Sequence, residues 1–161
     1  MASRIEVVPK GGDHDAWVRT LMTDRGSTLV VSRGVLHDAG ALPGLVALLD
    51  GELAGLLTYE ITGDRMEVVT VDSLVQRRGV GTALIEDARR IAKQAGCRRV
   101  WLITTNDNVG ALNFYSALGF SVVAVHAGAV DQSRRLKPEI PLLGHGGVPI
   151  RDEIELEIAV D

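Results

Sequence analysis

Gln76-Arg77-Arg78-Gly79-Val80-Gly81-Thr82-Ala83-Leu84-Ile85-Glu86-Asp87-Ala88-Arg89-Arg90-Ile91-Ala92-Lys93-Gln94-Ala95-Gly96 carries the strongest structural signal in the chain. From Gly81 to Ala95, Leu84, Ala88, Ile91 and Ala95 fall on one helical face, and Glu86, Asp87, Arg89, Arg90 and Lys93 on the other. Gly96 stands where a left-handed C-terminal cap belongs. At the other end, Gly79 and Gly81 keep side chains out of the helix mouth. Backbone N–H groups there can close on an anion, and the helix dipole adds to the attraction. The same two glycines would equally serve a plain strand-to-helix turn. No Gly-Lys-Ser/Thr follows, so this is not a Walker loop, and Leu84 occupies the last glycine position of the dinucleotide fingerprint.

Upstream of this helix the pattern alternates in twos. Ile5 to Val8 reads as a strand, and Asp13 as the cap of a helix through Trp17, Leu21 and Met22 that Gly26 ends. Thr28 to Ser32 is strand-like, whereas Gly34 to Gly44 has no clear period and is expected to be an ordered loop. Three antiparallel strands follow: Leu45 to Asp50, Leu53 to Ile61, and Met66 to Val75, joined by Asp50-Gly51-Glu52 and Thr62-Gly63-Asp64-Arg65. Downstream, Val100 to Thr104 is an apolar strand, Asn108 caps a helix from Val109 to Leu118, and Phe120 to Val125 is again a strand. Asp131 to Lys137 is expected to be helical, with a Pro- and Gly-rich loop after it. The last strand alternates, with Ile154, Leu156, Ile158 and Val160 inward and Glu153, Glu155 and Glu157 outward.

Composition narrows the function classes. At 161 residues, with 46% hydrophobic and 24% charged, residues 1–161 read as a single globular domain rather than a disordered or low-complexity chain. A formal charge of −4 argues against broad contact with nucleic acid or an anionic membrane, so an anionic ligand must be bound locally. Cys97 is alone, and His14, His37, His126 and His145 show no ligand spacing around it, so neither a disulfide nor a metal site is expected. Met1 to Glu6 lacks the order of a signal peptide, and the apolar run from Gly44 to Leu49 is far too short to span a membrane. The chain is accordingly read as cytoplasmic.

A second motif follows the next strand: Asn108-Val109-Gly110-Ala111-Leu112-Asn113-Phe114-Tyr115-Ser116-Ala117-Leu118-Gly119-Phe120. Together with Q-x-x-G-x-G at Gln76–Gly81, in this order and about this spacing, it resembles the GNAT superfamily of acyl-CoA-dependent N-acetyltransferases. The resemblance implies an α/β fold: a central, mixed, mostly antiparallel sheet with helices on both faces, splayed between the strands ending near Val75 and starting near Val100. It also implies acetyl-CoA as co-substrate and no metal. Gln76, Arg77, Arg78, Gly79, Val80, Gly81 and Thr82 match the family's pyrophosphate loop. Leu74 and Val75 match the strand end that pairs with the pantetheine arm. Asn106, Asn108, Asn113 and Tyr115 match the coenzyme-contacting helix region, Tyr115 being the tyrosine that often protonates the departing thiolate. The family usually places several residues between the strand and the Gln/Arg of the loop, whereas Gln76 here directly follows the expected strand end at Val75.

The reaction implied needs an amine freed of its proton, N–H groups for the oxyanion and an acid for the sulfur. Tyr115 could supply the acid or be a packed aromatic, and Asn108 suits a helix N-cap as well as a coenzyme contact. Candidate bases are Asp72, Glu67 and Glu60; strict alternation along 66–75 would put Glu67 and Asp72 on opposite faces. Each could equally be a solvated strand carboxylate. By analogy, His37, Asp38, His126, Asp131, Arg134 and Arg135 line the acceptor side, with Arg134, Arg135 and Lys137 able to read an anionic group on the substrate. The expected activity is transfer of acetyl from acetyl-CoA to a primary amine of a small molecule by direct attack in a ternary complex. Protein or peptide N-acetylation and a non-catalytic acyl-CoA sensor are the alternatives. A homodimer is left open.

Overall fold

The computed structural model describes residues 3–160; residues 1, 2 and 161 of the expected domain lie outside that range. The chain runs β1 (Ile5–Pro9), α1 (Asp15–Asp24), β2 (Leu29–Ser32), β3 (Val35–Asp38), β4 (Gly44–Leu49), β5 (Glu52–Thr62) and β6 (Arg65–Ser73). It continues α2 (Val80–Gln94), β7 (Arg99–Thr105), α3 (Val109–Ala117), β8 (Ser121–His126), α4 (Ala129–Leu136) and β9 (Glu153–Ala159). Among the described residues seven strands form one sheet in the order β1-β4-β5-β6-β7-β9-β8, and β2 pairs with β3 as a separate hairpin. β6 and β7 run parallel; the other neighbours are antiparallel.

Strand alternation divides the core between the two sheet faces. α2 buries Val80, Leu84, Ile85, Ala88 and Ala92 against one face, where Leu45, Leu57, Met66, Val68 and Leu156 point. α1 buries Val18, Leu21 and Met22 against the other, with Val46 and Leu56. Burying a side chain of this size is worth about 1.5–3 kcal/mol, so these two stripes fix which way the sheet faces.

β6 and β7 pair only from Arg65–Val68 against Arg99–Leu102. Beyond that, β6 stays with β5 and β7 stays with β9, so the two strands part and a wedge opens in the middle of the sheet. No helix among the described residues is long and apolar enough to cross a membrane.

The structure changes several local expectations. The segment 34–44 is not a loop: Val35–Asp38 pairs with β2, and a 3-10 turn covers Ala39–Ala41. Short β-branched and polar residues gave it no helical period, and four residues are too few to show a strand's. Asp13 does not cap α1 but sits inside a 3-10 turn at Gly12–His14, where His14 Nδ1 accepts from the Gly11 amide at 3.0 Å. β6 ends at Ser73, so Leu74 and Val75 belong to the loop before Gln76. This restores a spacer between strand and loop motif.

A bulge corrects the expected separation of Glu67 and Asp72. Thr58 pairs with Thr70 but Tyr59 pairs with Val68, leaving Val69 as an extra residue in β6. One extra residue reverses the alternation, so Glu67, Thr70 and Asp72 share the α1 face. The glutamates of β9 are not simply outward either. Glu153 is 3% exposed and held by Arg33 at 3.1 Å, and Glu155 and Glu157 pair with Arg65 and Arg99.

Candidate active site

The wedge leads into a cleft of about 850 Å³ between the 71–82 segment and α3. Its floor is the N-terminus of α2. Gly79, the N-cap, has φ +80° and no side-chain cap, and no acidic residue occupies the first turn. The leading amides of α2 therefore keep their donor capacity, and the dipole places positive potential at the same point. Arg77, with φ 59°, is also left-handed, a conformation that costs a non-glycine residue about 1 kcal/mol or more.

Val75, Gln76, Arg77, Gly79, Val80, Gly81, Thr82, Asn113 and Tyr115, all expected as coenzyme contacts, line this cleft. Val71, Ser73, Gly110, Ala111 and Phe114 line it too, and the sequence reading missed them. No sequence signal marked Val71 and Ser73, because strand pairing sets which way their amides face. The Leu74 amide donates to Ala54 O of β5 at 2.8 Å, so alternation turns the amides of Ser73 and Val71 toward the opposite, open edge. These are the groups placed to pair with an extended ligand arm; Leu74 is not.

Three other expected coenzyme residues are engaged elsewhere. Asn106 donates to Pro149 O and accepts from the Arg151 and Asp152 amides, fastening the 149–152 segment. Asn108 caps α3, accepting from the Ala111 amide at 3.1 Å. Arg78 reaches out to the Ser3 hydroxyl. Gly81 has a packing role of its own, because a Cβ there would come 3.2 Å from Phe114 Cζ. The glycine lets α2 and α3 meet at the cleft.

Two titratable groups, Tyr115 in the cleft and Asp72 on β6, influence each other electrostatically. Tyr115 stacks edge-on between Phe114 and Phe120, with ring centroids 5.1 and 5.6 Å away. Burial, and then the negative charge of Asp72, push its phenol up to about 12, so it holds a transferable proton at neutral pH. Asp72 is raised from 3.8 by burial, a shift that Arg25, 3.3 Å away at the end of α1, opposes. Glu67 and Glu60 lie instead under the β2–β3 hairpin beside His37.

The expected acceptor residues are scattered. His126 Nε2 is 3.0 Å from Glu155. Asp38 and Arg135 are exposed. Arg134 bonds Asp131 and the carbonyls of Ile140, Pro141 and Ile150, and Lys137 Nζ bonds Leu29 O. Nε and Nη2 of Arg134 thus clamp the loop after α4 while Nη1 is held by Asp131 within the helix, which corrects its reading as an anion reader. Cys97 is buried, and burial pushes its thiol up, so it is no nucleophile.

The family model for the Acetyltransferase (GNAT) family matches residues 14–120. The chain belongs to the GNAT acetyltransferases. It is 42% identical over 134 residues to the uncharacterized protein YdhI of Bacillus subtilis, covering 83% of each chain. A streptothricin acetyltransferase of Streptomyces lavendulae is 30% identical over 76 residues, 45% of this chain and 40% of that one. Among solved structures, a GNAT family acetyltransferase from Elizabethkingia anophelis with acetyl-CoA bound superposes with a TM-score of 0.69 at 15% identity, covering 96% of this chain and 97% of that one. The GNAT chain described here is therefore an acyl-CoA-dependent N-acetyltransferase, and its fold is the mixed sheet with helices on both faces.

Proposed function

We propose that this enzyme transfers acetyl from acetyl-CoA to a primary amine of a small molecule, by direct attack of the amine on the thioester within a ternary complex. The observation that carries the reading is the cleft that ends on the uncapped amides of α2 and is lined by Tyr115, whose proton is held by burial and by the negative charge of Asp72. The diphosphate would lie at the uncapped amides of α2, and the pantetheine arm along the open edge of β6 at Val71 and Ser73. Asp72, in its ionised form, would accept the amine's proton, directly or through a water. The amine nitrogen then bonds to the carbonyl carbon, an amide N–H of the β6 edge holds the oxyanion, and the C–S bond breaks as Tyr115 gives its proton to the sulfur. Cys97 takes no part, in keeping with direct transfer. The relative named for streptothricin supports a small-molecule acceptor.

The test is a screen of amines and peptides with acetyl-CoA, following release of free thiol. Turnover of small primary amines that falls steeply in Asp72→Asn supports the reading. Turnover of peptides alone, or acetyl-CoA binding with no turnover of any amine, would replace it with one of the two alternatives.

A further inference from the structure

Away from the coenzyme cleft, His37 of β3, Glu60 of β5 and Glu67 of β6 come together beneath the β2–β3 hairpin, and one ligand-type atom from each lies within 4.8 Å of the others. They line a cavity of about 390 Å³ that Ser32, Arg33 and Trp101 also border. The His37 side chain is 5% exposed, and its Nε2 has no hydrogen-bond partner. A buried imidazole nitrogen left alone is costly, so it calls for an explanation.

The distances supply one. His37 Nδ1 is 3.2 Å from Glu60 Oε2, and Nε2 stands unpartnered on the other side of the ring. Facing Nε2, 3.6 Å away, is a Glu67 carboxylate oxygen. This separation is too long for a hydrogen bond between the two atoms. It is, however, the spacing of neighbouring ligands in a tetrahedral site with bonds of about 2.0–2.2 Å, which sets ligand atoms roughly 3.3–3.6 Å apart. A carboxylate on the far ring nitrogen is the usual support for a metal-bound histidine. Glu60, Glu67 and Glu153 crowd this corner; of the two arginines that border the cavity, Arg33 pairs with Glu153 at 3.1 Å and Arg65 with Glu155 and Glu157.

We propose that His37 Nε2 and Glu67, with Glu60 on Nδ1 orienting the ring, bind one divalent transition-metal ion of the zinc class. The mixed nitrogen and oxygen ligands favour zinc-like ions over magnesium or calcium, which take oxygen cages. Such an ion would pin the β2–β3 hairpin to the sheet beside the wedge. The ligands come from three strands separated by 7 to 30 positions, and no local spacing announces them.

Calorimetry on chelator-treated full-length protein, titrated with zinc chloride and separately with magnesium chloride, tests the site. One zinc per chain and no magnesium uptake is expected. His37→Gln and Glu67→Gln should each weaken zinc binding at least tenfold, and His126→Gln and His145→Gln should leave it unchanged. Retained acetyl-CoA binding shows that a variant is folded. On the unaltered protein, zinc should shift the His37 ring nitrogen resonances without moving those of the other histidines. No stoichiometric zinc uptake, or uptake with the His37 resonances unmoved, overturns the proposal.

Discussion

At Tyr115 a single hydroxyl separates two roles that the ring alone would fill. The ring packs against Phe114 and Phe120 whether or not it carries oxygen. Tyr115→Phe should therefore keep stability and acetyl-CoA affinity while lowering turnover about 10²–10⁴-fold; equal turnover in both proteins across pH would leave Tyr115 as packing only. Asp72 permits a test by pH. Its carboxyl is raised from 3.8 by burial, and Arg25 opposes that shift, so removing the guanidinium must raise it further. Arg25→Ala should displace the acid limb of the kcat/KM profile to higher pH, the direction opposite to loss of a like charge. The sign for stability follows from the same shift. Between 3.8 and its raised value the native state holds the Asp72 proton and the unfolded chain does not, so stability falls as pH rises through that window. An acid limb that stays in place in Arg25→Ala would remove Asp72 from the role of base.

The loop from Lys137 to Ile150 carries only a 3-10 turn at His145–Gly147 and a bridge between Leu143 and Pro149, and is held by side chains. Asp107 accepts from the Thr105 hydroxyl and the His145 amide, and Arg134 ties the loop from the other end. A Cβ on Gly144 would stand 2.0 Å from Asp107 Oδ2. Gly144→Ala should thus destabilise by about 1–3 kcal/mol, read as a lower denaturant midpoint. Burial would raise the Asp107 carboxyl, but these hydrogen bonds outweigh it and hold the group below 3.8. Its contribution is then present above 3.8 and lost as pH falls through the lowered value, and Asp107→Asn should abolish that acid-dependent part. Elements of this kind were the hardest to read in sequence, because an irregular loop has no period. The regular ones were plainer: α2 buries Leu84 and Ala88 and Asn108 caps α3 where spacing put them, although Ala95, expected on the same face of α2, is exposed just past its end. β3 escaped notice at four residues, and the Val69 bulge could not be seen at all, since it exists only as a mismatch between two paired strands.

At the scale of the whole molecule, the part of the cleft wall from Val75 to Thr82 was legible because it is one continuous run facing one short helix, whereas Val71 and Ser73 of β6 were not. The residues expected on the acceptor side were not legible as a group, because they lie on separate elements and only tertiary packing decides that Arg134 faces a loop. The cleft also couples ligand binding to global stability. A ligand that binds only the folded state adds about 2.7 kcal/mol at a hundred times its Kd, and for a chain of this size each kcal/mol moves Tm by about 2–4 °C. Acetyl-CoA at that excess should therefore raise Tm by about 5–11 °C. Gly81→Val should lose the increment, because the added side chain enters the uncapped turn of α2. It should also lower Tm without ligand, because its Cβ begins 3.2 Å from the Phe114 ring. The two effects separate in one melting experiment: a variant with a lowered baseline that still gained the full increment would show Gly81 to be needed for packing α2 on α3 and not for the coenzyme.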